Sequence, residues 1–318
     1  MRVSFRQLMM FLLLSPVIAL AMGHHANAAA QQPSGITVSP AFQQVAIPAG
    51  AAEQPINFSI TNDKSTPQTV NLSVADFNTL NESGGLFFVG TNPTALQKKY
   101  GLAKWVSLPA NALTIAAKQT VPVKANILNL PTLTPGGHYG ALMIELASGQ
   151  SGANSVGVKP IASSLLFVTK MPDDTHHLRL DNVSFNSSLT SLPKNVSLRF
   201  YNDGNTHVVP RGVVKLVDPR GKLVSQGIIN QNSGIILPAT YRVYQVGLNQ
   251  VSSSNAIGSY KLTVDFRFDG MSQFRSYQAS FVYVALVYLV LAAAIFVGVI
   301  VLVIIIVRKR TKRKKYNN

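Results

Sequence analysis

Ser191 and Lys194 have the Ser-x-x-Lys spacing in which a lysine assists a serine nucleophile. Enzymes that use this pair support it with Ser-Asp-Asn and Lys-Thr-Gly motifs, and neither motif occurs in the sequence. Pro193 lies between the two residues and favours a loop. We therefore expect no catalytic site here, and a wall hydrolase or acyltransferase is the least favoured of the functions considered below.

A second cluster of polar residues combines imidazole and carboxylate groups, which are common zinc ligands. Its members lie within five positions, and they are Asp173, Asp174, His176 and His177. Adjacent residues of an extended chain point to opposite sides, so His176 and His177 do not reach one ion on a regular strand. We interpret the segment as an exposed linker and expect no metal and no cofactor.

Trp105 is the only tryptophan of the chain, and Tyr100 lies five residues before it. Two exposed aromatic rings could stack on sugar rings, which makes this pair a candidate ligand-binding site. Large aromatic side chains also fill protein cores, so the alternative is that both rings are structural.

The chain of 318 residues contains no cysteine. This excludes a disulfide scaffold, thiolate zinc sites, iron-sulfur clusters and a cysteine nucleophile. Together with the missing serine-enzyme motifs, it predicts a protein that is not an enzyme.

The net charge of +16 is concentrated at the two ends of the chain. Nine of the 28 Lys and Arg residues flank apolar segments there, and the middle of the chain is only about +7. A nucleic-acid-binding protein would instead gather basic residues on one folded face. We therefore exclude nucleic acid as a partner.

Residues 1–28 have the pattern of a secretory signal peptide. Arg2 and Arg6 precede an apolar run from Leu8 to Met22, and small residues follow that allow cleavage near residue 28 or 30. The alternative is an uncleaved anchor, but polar residues interrupt the run too early for it to span a bilayer.

An uncharged stretch of 27 residues, Phe281–Val307, predicts a single transmembrane helix. Tyr283 and Tyr288 lie near its start, where amphipathic rings favour the headgroup region, although the first residues could instead complete a strand. Basic residues stay on the cytoplasmic side, so the N-terminal part is predicted to be extracellular. The tail, residues 308–318, would lie against the anionic inner leaflet through Arg308, Lys309, Arg310, Lys312, Arg313, Lys314 and Lys315.

The region between these ends has many short alternating runs separated by turn residues, which predicts an all-β structure. A break near Met171-Pro172 divides it into two β-sandwich domains, residues 31–171 and 172–280. The alternating apolar residues include Ile56, Phe58 and Ile60; Val70, Leu72 and Val74; Leu142, Ile144 and Leu146; Leu165 and Phe167; Val196, Leu198 and Phe200; and Leu262, Val264 and Phe266. Each half also has a strand that runs into an Asn-Asp turn, at Asn62-Asp63 and Asn202-Asp203.

Several segments together resemble the WxL-interacting proteins of monoderm bacteria. They are Ser39-Pro40, Trp105-Val106-Ser107-Leu108 and Pro135-Gly136-Gly137-His138-Tyr139-Gly140, followed by a second sandwich, one membrane span and a basic tail. The resemblance implies that the first domain is an immunoglobulin-like domain of the peptidoglycan-binding type. It also implies that the second immunoglobulin-like domain binds partner or host surface proteins, and that the protein is a single-pass protein of the plasma membrane.

Two function classes follow from this organisation. The first is a membrane-anchored cell-surface protein that binds peptidoglycan, another wall polymer or a WxL-type exported protein. The alternative is a chaperone-like assembly factor, in which an open sheet edge pairs with a strand of a surface or pilus subunit. A client whose capture depends on that edge would distinguish the second class from the first.

Overall fold

The computed structural model describes residues 35–147 and 161–316. The predicted signal peptide lies outside the described residues. The chain forms two immunoglobulin-like β-sandwiches in tandem, followed by one long helix, as the sequence predicted.

Within its described residues, 35–147 and 161–170, the first sandwich contains ten strands, one short α-helix and the 3-10 helix Ala103–Trp105. The strands are β1 Ile36–Ser39, β2 Phe42–Ile47, β3 Glu53–Asn62, β4 Gln68–Thr79, β5 Leu86–Phe88, β6 Val106–Ser107, β7 Ala112–Ile115, β8 Thr120–Leu128, β9 Gly136–Leu146 and β10 Ile161–Lys170, and helix α1 is Ala95–Tyr100. One sheet has the order β1-β3-β8-β6, and the other has the order β2-β10-β9-β4-β5 with β7 on the end of β4. The strands of the second sheet are antiparallel neighbours except β2, which runs parallel to β10.

The core of the first sandwich lies between these two sheets. Ile56, Phe58 and Ile60 of β3 face Leu142 and Ile144 of β9 across it, and all five side chains are buried. The alternation of apolar and polar residues in β3 therefore matches a strand with one buried face, since every second side chain enters the core.

The second sandwich contains eight strands. They are β11 Leu178–Phe185, β12 Asn195–Asn202, β13 Arg211–Val217, β14 Leu223–Ile229, β15 Tyr241–Gly247, β16 Asn249–Gln250, β17 Gly258–Arg267 and β18 Arg275–Tyr283. One sheet has the order β11-β12-β15, and the other has the order β16-β14-β13-β17-β18. Leu198, Phe200, Leu262, Val264 and Phe266 contribute to the core between them.

A buried asparagine ends one strand in each sandwich. Asn62, at the end of β3, donates to the carbonyl oxygens of Thr66, Ile115 and Ala116 and accepts from the N–H of Lys64. Asn202, at the end of β12, makes the corresponding bonds with different partners. It donates to the carbonyl oxygens of Thr206 and Ile236 and accepts from the N–H of Gly204.

Helix α2 spans Leu286–Tyr316, and its segment Leu286–Lys309 is long and apolar enough to cross a membrane. Two details differ from the sequence-based prediction. The residues from Phe281 to Tyr283 complete strand β18, as the alternative in the sequence analysis allowed, and Tyr283 packs on Tyr260 of the core at 5.2 Å between ring centroids. The helix also continues past Val307 through the basic residues, because nothing in that run breaks a helix.

Tyr288 lies in the first turn of α2 and is exposed. Arg308 and Lys309 lie at the opposite end of the apolar segment. The side chains of the remaining predicted anchors, Arg310, Lys312, Arg313, Lys314 and Lys315, lie outside the described residues. The orientation of α2 across the membrane stays a prediction.

Candidate functional site

The central strands β9 and β10 of the sheet β2-β10-β9-β4-β5 are buried on both faces, whereas its edge strands β2 and β5 are partly exposed. Leu166 and Val168 of β10 enter the core of the first sandwich, whereas Leu165 and Phe167 point to the opposite, outer face. This outer face packs against Leu237 of the second sandwich and the residues around it. The contact explains why β9 is buried at nine consecutive positions.

Phe167 is the centre of the contact. Its ring centroid lies 4.9 Å from that of Phe42, 5.2 Å from that of Phe77 and 5.5 Å from that of Tyr139. The tilted and edge-on arrangements are those that aromatic pairs prefer. Phe167 itself is buried, but Phe42 at the start of β2 is 43% exposed. The aromatic cluster therefore continues from the domain contact to the surface.

His207 of the second sandwich inserts into the same cluster. Its ring meets Tyr139 and Phe167 edge-on at 5.7 Å and 5.4 Å, and its Nε2 lies 3.2 Å from the side-chain nitrogen of Gln44. Burial, the largest effect, lowers the pKa of His207 to about 4, while Asp269 opposes the shift and His176 adds to it. His207 is therefore neutral at physiological pH.

A second contact braces the two sandwiches. Glu82, in the turn between β4 and β5, receives two hydrogen bonds from the guanidinium of Arg199, at 2.8 Å and 2.7 Å. The carbonyl oxygen of Glu82 also accepts from the N–H of Val243 on β15. This turn of the first sandwich thus lies along the outer strand of the three-stranded sheet of the second.

A cavity of about 370 Å³ opens between the two contacts. Its apolar wall comes from the outer face of the first sandwich through Phe42, Leu86, Leu165 and Phe167. The opposite wall is the segment from Asn232 to Leu237, and among the described residues that line the cavity Arg242 is the charged one. In the part of the chain that the structure describes, Arg242 has no carboxylate within salt-bridge distance, and one of its nitrogens donates to the carbonyl oxygen of Ile235 at 2.7 Å.

Strand β10 has a free backbone edge beside this cavity. It pairs with β9 along its whole length, from Ile161 to Lys170, but β2 covers its other side only from Leu165 onward. The N–H of Leu165 donates to the carbonyl oxygen of Ala41 on that side. Because orientation alternates along a strand, Ser163 directs its N–H and C=O to the same side, where no strand within the described residues pairs with it.

Tyr100 and Trp105 do not form an exposed pair. Trp105 is 4% exposed and belongs to the core of the first sandwich, with its indole N–H donating to the hydroxyl of Thr132 at 3.2 Å. Tyr100 is 8% exposed and packs with Phe77 and Tyr139 in the domain contact. Neither ring offers a face to a sugar, and both fill packed regions, which is the structural alternative given in the sequence analysis.

The other polar candidates are dispersed. His176 lies 3.9 Å from Asp174, whereas His177 contacts Asp203. Within residues 35–147 and 161–316, no three His, Asp or Glu side chains are arranged to hold a metal ion. Ser191 lies on a loop, where its backbone pairs with that of Ser188.

The sequence contains one signal for the cavity that the periodicity analysis did not use. Residues 165 to 168 read Leu-Leu-Phe-Val, a continuous apolar run and not an alternating one. A run of this kind is typical of a strand that is buried on both faces. It marks the sheet that contacts a second domain, although it does not identify the contacting residues.

No protein-family model matches this chain, and no curated protein matches its sequence. Solved structures match it by fold at low identity. A chain from a chaperone–tip adhesin complex of CFA/I fimbriae biogenesis shares 10% identity at a TM-score of 0.42, covering 77% of this chain and 97% of its own. The class 5 fimbriae chaperone CfaA also gives 10% and 0.42, with 76% and 98% coverage.

The Escherichia coli chaperone DraB gives 9% identity and a TM-score of 0.36, with 77% of this chain and 95% of its own covered. These identities are too low to transfer a function from those proteins to this chain.

Proposed function

We propose that this protein captures an extended, apolar segment of another protein, in the manner of a chaperone or assembly factor, while its helix holds it at a membrane. The observation that carries the proposal is the edge of β10 at Ile161–Ser164. Opposite β9, no strand of the described residues pairs with this edge, and it ends where the apolar cavity between the sandwiches begins.

The backbone of β10 supplies the pairing. An unpaired strand edge presents N–H and C=O groups that a second chain can bond as an added strand. Ser163 directs one donor and one acceptor outward, and β2 shows that the same edge accepts a strand a few residues further along. An incoming segment would pair with β10 on the same side as β2, next to the N-terminal end of β2.

The outer face supplies the specificity. Side chains of an added strand alternate between the two faces of the sheet, so every second side chain of the client would lie over the outer face. Phe42, Leu86 and Leu165 form an apolar surface there, and two of them, Phe42 and Leu86, are more than one third exposed. A client with apolar residues at alternate positions would bury this surface, which gives a favourable hydrophobic contribution.

The test uses the full chain in nanodiscs and a phage-displayed library of random dodecapeptides. We expect selected peptides to have apolar residues at every second position and to protect the amide of Ser163 from hydrogen exchange. Peptides without this alternation, or protection confined to other strands, would contradict the proposal.

Ser163→Pro removes a donor that no strand of the described residues pairs with, so it should weaken peptide binding at least tenfold while the circular dichroism spectrum is unchanged. Ser163→Ala is the matched control, because it alters the side chain and keeps the N–H. Phe42→Asp provides a second variant on the apolar wall, and it too should weaken binding. Equal affinity of all three variants and the parent would refute edge pairing at β10.

The peptidoglycan and WxL-type partners expected from the family resemblance stay predictions. They have a separate test, in which the same nanodisc sample is mixed with purified cell-wall sacculi and centrifuged. Binding brings the protein down with the sacculi, and absence of binding leaves it in the supernatant. Ser163→Pro should not alter that result, since a flat polymer surface does not need the β10 edge.

A further inference from the structure

The two ends of the second sandwich carry opposite charge. The connections that face the first sandwich, residues 171–177, 203–210, 230–240 and 268–274, contain no Lys or Arg, and their acidic residues are Asp173, Asp174, Asp203 and Asp269. The connections at the other end, residues 186–194, 218–222 and 248–257, contain Lys194, Arg220 and Lys222 with Asp218 as the single acid. We call this second end the helix end, because β18 leaves it to enter α2.

The one carboxylate of the helix end is withdrawn from solvent. Asp218 is buried and accepts from the N–H groups of Arg220 and Lys222, both at 2.9 Å, and from the hydroxyl of Ser254 at 2.7 Å. Lys194, Arg220 and Lys222 are exposed, and the guanidinium of Arg220 also lies 3.3 Å from the carboxylate of Asp218, which leaves a net charge of about +2 at this end. The helix end therefore presents positive charge to its surroundings.

Apolar side chains project among these cations. Leu189, Val251 and Ile257 come from the loops of the helix end and are 50%, 52% and 53% exposed. Exposed leucine and isoleucine beside lysine and arginine is the composition of segments that lie in a membrane interface.

The helix end is joined to α2 without a flexible linker. Only Val284 and Ala285 separate β18 from the first residue of the helix. The N–H of Val284 donates to the carbonyl oxygen of Leu189 at 2.6 Å, and Ala285 is 6% exposed. The loop with Leu189 is thus fixed beside the point where the apolar helix begins.

We propose that the helix end docks on the headgroup layer of the bilayer that α2 spans. Leu189 and Ile257 enter the boundary between headgroups and acyl chains, and Lys194, Arg220 and Lys222 bind the phosphates of anionic lipids. The charge of the surface and its continuity with α2 favour a lipid over a protein as its occupant. This membrane contact goes beyond the proposed function, because it forms whichever peptide occupies the cavity between the sandwiches.

The absence of native cysteine allows a direct test by single-cysteine labelling of the full chain. Leu189→Cys and Ile257→Cys carry the fluorophore NBD in nanodiscs of phosphatidylglycerol and phosphatidylcholine that contain doxyl-labelled lipid. Leu80→Cys, at a 64% exposed position of the first sandwich, is the control for the probe itself. We expect strong quenching at positions 189 and 257 and little at position 80. Quenching at 189 and 257 equal to that at 80 would overturn the docking.

The charge component has its own comparison. Changing Lys194, Arg220 and Lys222 together to Gln, or leaving out phosphatidylglycerol, should reduce quenching at position 189 by at least half. Changing Lys64, Lys98 and Lys99 of the first sandwich to Gln alters the net charge equally and should leave quenching unchanged. If neither the lipid nor the helix-end cations affect the quenching, anionic headgroups are not the ligand. Peptide binding to the cavity between the sandwiches is measured on the same samples and should be unaffected. A failure of membrane docking can therefore be told apart from a failure of the proposed function.

Discussion

The two sandwiches are built on the same internal plan but use their outer faces differently. In each, a strand of alternating apolar residues ends at a buried asparagine, Asn62 or Asn202, that bonds neighbouring carbonyl groups. In the first sandwich one sheet is covered on both faces. In the second, the strands of both sheets alternate between buried side chains and partly or fully exposed ones, as β12 and β17 show.

This difference separates the residues that determine the fold from those that determine the site. The inner faces of both sandwiches follow one rule, which is the burial of every second side chain along each strand. The outer face of β10 and β9 departs from that rule and forms the domain contact and the cavity. The proposed binding surface therefore lies where the alternation of buried and exposed side chains breaks down.

The largest expected effect on the free energy of unfolding comes from substitutions of side chains on the two faces of β10. Leu166→Ala, on the core side, and Phe167→Ala, on the outer side, should each lower the free energy of unfolding by about 3–5 kcal/mol, because each opens a cavity in a packed region. In β12, Leu198→Ala should have a large effect and Ser197→Ala a small one, since only one face of that strand is buried. Chemical denaturation of the full chain in detergent measures all four. A Phe167→Ala variant as stable as the parent would show that the outer face does not contribute to stability.

The buried asparagines test whether the two sandwiches, which share this geometry, also gain similar stability from it. Asn62→Ala and Asn202→Ala each leave several buried backbone groups without partners, so each should cost roughly 2–4 kcal/mol. Asn249→Ala, on an exposed edge strand, is the control and should have little effect. Denaturation midpoints provide the measurement. A clear effect at only one of the two buried positions would mean that the plan is not shared.

The sequence was sufficient to predict what depends on local periodicity. Ile56, Phe58 and Ile60 alternate because one face of β3 is buried, and the pattern alone placed them in a strand. The same reasoning indicated the Asn-Asp turns and the apolar helix. It also took Leu165 and Phe167 as the alternating residues of β10, whereas the structure turns Leu166 and Val168 into the core.

The site could not be predicted in this way because its contacts are distant in sequence. His207 reaches Tyr139 across 68 residues, and Arg199 reaches Glu82 across 117 residues. Leu237 comes from a connection with no periodicity of its own. Trp105 illustrates the same limit, because an isolated aromatic residue gives no signal of whether it is buried. Only the packing of two complete domains determines these neighbours.

The domain contact should weaken in acid, because desolvation at this contact keeps the ring of His207 neutral. The pKa of His207 is lowered from 6.5 to about 4, so between these values the unfolded chain binds a proton that the folded chain excludes. Stability should fall as pH decreases through this window, by about 2–3 kcal/mol, and should not change from this source above pH 6.5. Burial lowers the pKa of His138 as well and adds a slope of the same sign.

Denaturation midpoints between pH 4 and pH 8 measure this effect. His207→Gln removes one of the two titrating groups and should flatten the slope, while the part due to His138 stays. An unchanged slope in His207→Gln would mean that the ring is not held neutral at the contact.

The smallest expected effect is at the brace between Glu82 and Arg199, which lies at the surface edge of the contact. Both side chains are partly exposed, at 44% and 32%, and exposed ion pairs contribute little to stability. The hydrogen bonds from Arg199 lower the pKa of Glu82, so its contribution is present above about pH 4.5 and is lost as the carboxylate is protonated below that value. Glu82→Gln should therefore lower the melting midpoint slightly at low salt and neutral pH, and not at high salt, where the charges are screened. Arg199 keeps its contact with Asp181 in that variant. If Glu82→Gln destabilised the protein as much as Phe167→Ala does, the ion pair and not the aromatic cluster would be the main link between the sandwiches.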